Sequence, residues 1–225
     1  MDFVQDALDA VARGEEDINV YGSPIGNEGA QKLADSLMGE GGSRVREVSL
    51  FGNGVTGAGA AALAAVLAQS DSRIRVLSLQ NNSIGLDGMT ALAAALKVNT
   101  SLHVVSLNSC DLGDDGAAVL ADALQSGTTA VREVYLWDNG IGDAGAKALG
   151  AMLAVNTTLR AVGLTDNGIG DDGACALADA VRVNPALEEL GLTDNKIQGP
   201  GFKALTEALE ANKEVSKCGG VGLRV

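Results

Sequence analysis

Short stretches in which apolar and variable residues alternate are followed by longer stretches in which the apolar residues fall three or four apart, and the pair recurs along the whole chain. At 133–137 the order is Glu, Val, Tyr, Leu, Trp. That period of two describes a strand with Val134 and Leu136 on one face and Glu133, Tyr135 and Trp137 on the other. Leu92 with Leu96, Leu149 with Leu153, Leu177 with Val181, and Leu205 with Leu209 each mark one stripe of a helix.

Aligned on these segments, the chain is one unit written seven times: "INVYGSPIG" (18–26), "VSLFGNGVT" (48–56), "LSLQNNSIG" (77–85), "VSLNSCDLG" (105–113), "VYLWDNGIG" (134–142), "VGLTDNGIG" (162–170) and "LGLTDNKIQ" (190–198). The column that usually holds asparagine falls at Ser23, Asn53, Asn82, Cys110, Asn139, Asn167 and Asn195, at spacings of 30, 29, 28, 29, 28 and 28 residues. A fixed period of this size is the mark of a solenoid, in which each unit buries its apolar face only against its neighbours. The junctions carry helix-start chemistry. Asp114, Asp143 and Asp171 stand at the capping position, Pro200 at the first helical position, and a glycine follows in every copy, as at Gly145 and Gly173. Asn99, Asn156, Asn184 and Asn212 fall where the helices should end, which suits the left-handed backbone of many helix stops.

This pattern, over roughly residues 15–215, resembles the leucine-rich repeat, specifically the long subtype of ribonuclease inhibitor, the Ran GTPase-activating protein and the sensor regions of NOD-like receptors. The resemblance implies an α/β, right-handed horseshoe solenoid with parallel strands on the concave face and helices on the convex face. It also implies an asparagine column that ties adjacent turns together, from which Ser23 and Cys110 depart. Strands stack about 4.8 Å apart and helices roughly 9 Å, which bends the stack by roughly 25° per repeat, or about 150° over six steps. The expected organisation is one domain, 1–225: a helical cap at 1–17, seven repeats at 18–214 and a partial-repeat cap at 215–225. In the first cap Phe3, Leu8 and Val11 are placed to cover the first repeat; in the last, Val215, Cys218 and Gly220 continue the inward columns.

Charge narrows the partners. The net charge is −13 and the pI near 4.4, so nucleic acid and anionic membrane are repelled at long range and a basic partner is favoured. No run of eighteen apolar residues exists, and the start of the chain lacks the basic flank and apolar stretch of a signal peptide, so a cytoplasmic protein is expected. Sequons at Asn81, Asn99 and Asn156 carry no meaning in that setting. Cys110, Cys175 and Cys218 have neither disulfide nor zinc spacing, and no cofactor or metal is implied.

Parity then fixes a candidate binding face. Because Val134 and Leu136 point inward, Tyr135 and Trp137 face the hollow, and Tyr21 and Phe51 share the column of Trp137. Four of the six aromatic residues therefore lie on the concave side, either as contact residues or as rings packed over neighbouring strand side chains. The same face carries Asp17, Glu47, Glu133, Asp138, Asp166, Glu189 and Asp194 and no Lys or Arg, a one-sided field that steers cations. A second column, Arg46, Arg75, His103, Arg132, Arg160 and Glu188, mostly basic, begins the strands just after the helices end. It reads either as cations satisfying helix-terminal carbonyls or as a row that binds phosphate. His103 has no partners that would make it a general base.

Three motifs mislead. "GAGAAA" (57–62) lacks the last glycine of a dinucleotide loop, "DNGIGDDG" (166–173) lacks the closing Glu of a calcium loop, and Cys175 has no adjacent base. The function expected is a non-enzymatic, monomeric module that binds another, basic protein through Tyr21, Phe51, Glu133, Tyr135, Trp137, Asp138, Asp166 and Asp194. The alternatives are a regulator of a small GTPase, which the resemblance alone suggests, and a structural subunit of a larger assembly.

Overall fold

The computed structural model describes residues 2–125 and 129–212. Among them, strands β1 (Asp17–Asn19), β2 (Glu47–Ser49), β3 (Val76–Ser78), β4 (Val104–Ser106), β5 (Glu133–Tyr135), β6 (Ala161–Gly163) and β7 (Glu189–Gly191) form one parallel sheet in strict chain order. The helices are α1 (Phe3–Arg13), α2 (Gly26–Leu37), α3 (Gly57–Leu67), α4 (Gly85–Leu96), α5 (Gly113–Gln125), α6 (Asp143–Leu153), α7 (Asp171–Val183) and α8 (Gly199–Ala211), each packed on the next. Parallel neighbours require a crossover, and here every crossover from β1 onward carries one α-helix laid against the sheet, the first followed by a 3-10 helix at Glu40–Arg44. The α/β solenoid read from the periodicity is the fold. Its core is a single continuous ribbon between the layers: Val134 and Leu136 are 2% and 0% exposed, as are their equivalents in neighbouring repeats.

The asparagine column explains how three-residue strands hold together. Asn82 is buried; its Nδ2 donates to the carbonyls of Leu50 in the preceding repeat and of Leu79 in its own, at 2.6 and 2.9 Å. Its Oδ1 accepts from the backbone of Asn53 and Val55, at 3.1 and 2.9 Å. One side chain thus satisfies donors and acceptors that would be buried and orphaned. Cys110 keeps only half of this role. Its Sγ donates to the Leu79 carbonyl at 3.1 Å, and burial pushes the thiol up to about 12, so it stays protonated. A thiol offers no carbonyl oxygen, and the Ile84 N–H turns back onto the Asn82 carbonyl instead. Cys110→Asn is expected to leave stability within about 1 kcal/mol of wild type, because its Oδ1 would face the same kind of closed turn that leaves the Asn53 Oδ1 unpartnered, seen as a nearly unchanged urea midpoint and slope. A lowered midpoint would show that the slot cannot hold an amide.

The helix starts correct the sequence reading. Asp114, Asp143 and Asp171 do not cap their own helices. They sit in the first turn, and each carboxylate reaches across to the helix of the following repeat. Asp143 Oδ1 accepts from the N–H groups of Gly170 and Gly173 at the start of α7, at 2.7 and 2.9 Å. Asp114 does the same for α6, Asp171 for α8, and Asn27 for α3. The row is broken where Gly57 and Leu86 occupy the column. At Gly59, Gly145, Gly173 and Gly201 the glycine accommodates this contact: a Cβ on Gly173 would lie 2.8 Å from both Asp143 Oδ1 and the Ala146 side chain. Asp143→Ala should cost about 1–2 kcal/mol of stability, the worth of a good helix cap, measurable by denaturant unfolding.

The helix ends are corrected too. Asn184 and Asn212 have extended, not left-handed, backbone, and Asn99 and Asn156 have no positive φ. Their side chains do the terminating: Asn184 Nδ2 donates to the Leu153 carbonyl at 2.6 Å, while its Oδ1 accepts from Ala186 and Leu187. Asn99 and Asn156 form the same bridges to Leu67 and Leu124. In the N-terminal helix the covering residues are Ala7, Ala10 and Val11; Leu8 is half-buried and Phe3 is 42% exposed. The C-terminal cap expected at 215–225 lies outside the described residues. No described helix is long and apolar enough to cross a membrane.

Candidate functional site on the concave sheet

Strand parity places the rings where alternation requires. Trp137 is 45% exposed on the concave side and Tyr135 is half-buried beside it, edge to face with centroids 6.4 Å apart and planes at 86°. The ring pair is held by its surroundings. The Tyr135 hydroxyl donates to Glu133 Oε2 at 2.9 Å, and burial first, then that carboxylate, pushes the phenol up to about 12. The backbone of Trp137 donates to Asn108 Oδ1 at 2.9 Å.

A glycine missed in the sequence makes room for the rings, and a second lies beside it. Gly163 of β6 pairs with Tyr135, and the indole lies across it: a Cβ there would strike Trp137 Nε1 and come within 3.0 Å of both Trp137 Cδ1 and Tyr135 Cδ1. Gly191 of β7 continues the column beside Gly163. Glycine inside a strand, where it weakens the ladder, was the available signal. Together they leave a smooth floor with an aromatic wall on the β5 side.

The acidic residues divide by environment. Glu133 is engaged by Tyr135, and Asp138 Oδ2 accepts from the Ser109 hydroxyl at 2.9 Å. Asp166 and Asp194 are exposed, with no side-chain partner among the described residues. The column of Asp138, Asp166 and Asp194 has left-handed backbone throughout, with φ of 51°, 54° and 55°; Gly22, Gly52, Asn81 and Ser109 occupy it in earlier repeats. Asp, Asn and Gly tolerate that conformation best, so backbone geometry as well as charge selects these side chains.

Tyr21 and Phe51, 62% and 38% exposed, lie on the same face but not in the same cluster. They stand at β1 and β2, and the columns between them and β5 are filled by polar residues linked to one another, Asn108 to Gln80 and Gln80 to Ser78. Three strand spacings, about 14 Å, separate Phe51 from Trp137. The structure therefore groups Glu133, Tyr135, Trp137 and Asp138, sets Asp166 and Asp194 alongside, and leaves Tyr21 and Phe51 as a second patch. Among the described residues, no three His, Cys, Asp or Glu side chains converge as metal ligands.

Comparison with known proteins agrees with this architecture. No curated protein sequence matches the chain. Among 94 matching chains of solved structures is Leiomodin-1 Actin-Binding Site 2 (ABS2), 17% identical with a TM-score of 0.54, covering 70% of this chain and 89% of that one, a likeness of fold. The Leucine Rich repeat family matches at residues 45–64, 74–93, 98–121, 130–150, 155–178 and 183–205. With those six repeats spanning more than half of its length, the chain belongs to the leucine-rich repeat family.

Proposed function

We propose that this chain is a cytoplasmic, monomeric protein-binding module of the long, ribonuclease-inhibitor-like subtype, and that it holds a basic partner against the concave sheet around Tyr135 and Trp137. The observation that carries the reading is a half-exposed indole, seated on Gly163 and braced by Tyr135, on a face whose strand columns contain acids and no Lys or Arg. Aromatic anchors of this kind dominate binding energy, and surrounding carboxylates govern encounter and register. Leucine-rich repeat proteins are in general interaction modules rather than enzymes. The period of 28–30 residues, with a full α-helix in each repeat, supports the long subtype.

The test is affinity capture from the source cell with the wild-type chain and a Tyr135→Ala, Trp137→Ala double variant, at low and at high salt, with actin as a separate arm because the Leiomodin-1 domain is an actin-binding site. A basic protein that the double variant and high salt both release is the expected result. Recovery of one and the same set of proteins by both chains would refute the assignment.

A further inference from the structure

Positive charge in this acidic protein is sorted by side chain. The helix lysines are neutralised: Lys97 pairs with Asp122 at 2.7 Å, Lys147 with Asp172 at 2.9 Å, Lys32 with Glu28 at 2.7 Å and Lys203 with Glu207 at 3.8 Å. The arginines that begin the strands are mostly not. Backbone bonds join Arg46, Arg75, His103, Arg132 and Arg160 in register, from Arg75 N to Arg46 O at 2.7 Å through Arg160 N to Arg132 O at 2.7 Å, so their side chains stack one strand spacing apart. In this column, among the described residues, only Arg160 reaches a carbonyl with its side chain, that of Ala186 in the loop after α7 at 3.2 Å, and it also pairs with Glu188. Among the described residues, Arg46, Arg73, Arg75 and Arg132 reach neither a carboxylate nor a carbonyl. Like charges side by side on adjacent strands are destabilising.

Three of these cations converge. Arg46, Arg73, Arg75 and His103, with Ser72 and Ser101, line a shallow, open cavity of about 360 Å³ at the edge of the sheet where the strands begin. The Ser72 hydroxyl is buried there without a hydrogen-bond partner. His103 Nδ1 donates to the Ser101 carbonyl at 2.6 Å, which fixes the ring in the cavity wall.

We propose that this cavity is a binding site for a small di- or polyphosphate, independent of the concave face. Planar guanidinium groups bind phosphate oxygens in pairs, and three of them match the charge of a linked diphosphate better than that of a single carboxylate. The net charge of −13 repels an extended anionic surface, whereas a small anion inside the cavity is governed by the arginines beside it.

The test is calorimetry and thermal unfolding of the full chain with sodium pyrophosphate at low ionic strength, against sodium chloride of equal ionic strength, for wild type, Arg75→Gln and Arg73→Gln. Pyrophosphate should raise the wild-type midpoint by a few degrees. Both variants should bind about tenfold more weakly, the worth of one charge-assisted contact. Without ligand, Arg75→Gln should melt higher than wild type, because a like-charged neighbour is removed. A lower ligand-free midpoint for Arg75→Gln, with pyrophosphate affinity unchanged, would establish a structural role and overturn the site; so would pyrophosphate acting no better than chloride. Phosphatidylcholine vesicles with and without phosphatidylinositol bisphosphate form the last arm. Binding of free pyrophosphate without vesicle binding supports the proposal, and vesicle binding alone overturns it.

Discussion

Asn82→Ala should destabilise the chain by about 3–5 kcal/mol, and Asn53→Ala by only about 1–2 kcal/mol, although the two residues occupy the same column. The difference follows from what each amide does. Asn82 donates to the carbonyls of Leu50 and Leu79 and accepts from the backbone of Asn53 and Val55. Those two N–H groups belong to residues that are 0% exposed, so water cannot replace the lost acceptor. Asn53 donates to the Val20 and Phe51 carbonyls, but its own Oδ1 has no partner. In the repeat before it, the Ile25 N–H, the equivalent of the Val55 N–H that donates to Asn82, closes on the Ser23 carbonyl instead. Urea unfolding with both variants decides the matter. Equal losses would show that the acceptor half of the column contributes nothing. A smaller slope for Asn82→Ala would mean that the stack parts between the second and third repeats rather than unfolding as one.

Trp137→Ala should weaken binding of the concave-face partner by at least about 2 kcal/mol, close to thirtyfold, with stability nearly unchanged. Almost half of the indole is already in solvent, so its removal takes little from the core while erasing the largest surface on this part of the sheet. Gly163→Ala offers a complementary measurement in which the ring is kept. A methyl group at residue 163 would meet Trp137 Nε1 and lift the indole from its seat, so binding should weaken although no contact residue has been lost. Surface plasmon resonance with the captured partner reads both variants. Undiminished affinity for Trp137→Ala would remove that residue from the interface; undiminished affinity for Gly163→Ala alone would mean that the seat of the ring is unimportant.

What could be read before any coordinates was whatever repeats within one unit. The alternation at Val134 and Leu136 determined the direction of Tyr135 and Trp137, and the period delivered seven strands and the helices between them. What escaped were relations between residues 26–32 positions apart. Asp143 looks like the cap of its own helix because it stands at that helix's start; its hydrogen bonds go to Gly170 and Gly173. Asn184 looks like a left-handed stop, yet its amide crosses to Leu153. At the candidate site, the charge of Asp166 and Asp194 was legible but their left-handed backbone was not, and the vacancy over Gly163 becomes visible only once the indole from the neighbouring strand is placed. Likewise, the column from Arg46 to Arg160 was visible as a spacing, but whether its cations were neutralised depended on side chains no pattern could locate.

The cross-repeat carboxylates give the stack a temporal direction. Asp114 precedes the helix it serves, as do Asp143, Asp171 and Asn27, and none serves a helix before it. As the polypeptide leaves the ribosome, each of these acceptors is already waiting when its helix emerges, and the new coil docks on a finished surface. A nascent chain halted after α6 has every such acceptor it needs, whereas a fragment begun at α7 has lost the Asp143 that α7 requires. At α3, α6, α7 and α8 growth from the amino end is thus templated, while the amides of Asn82 and Asn184 close each new repeat back onto the one before it.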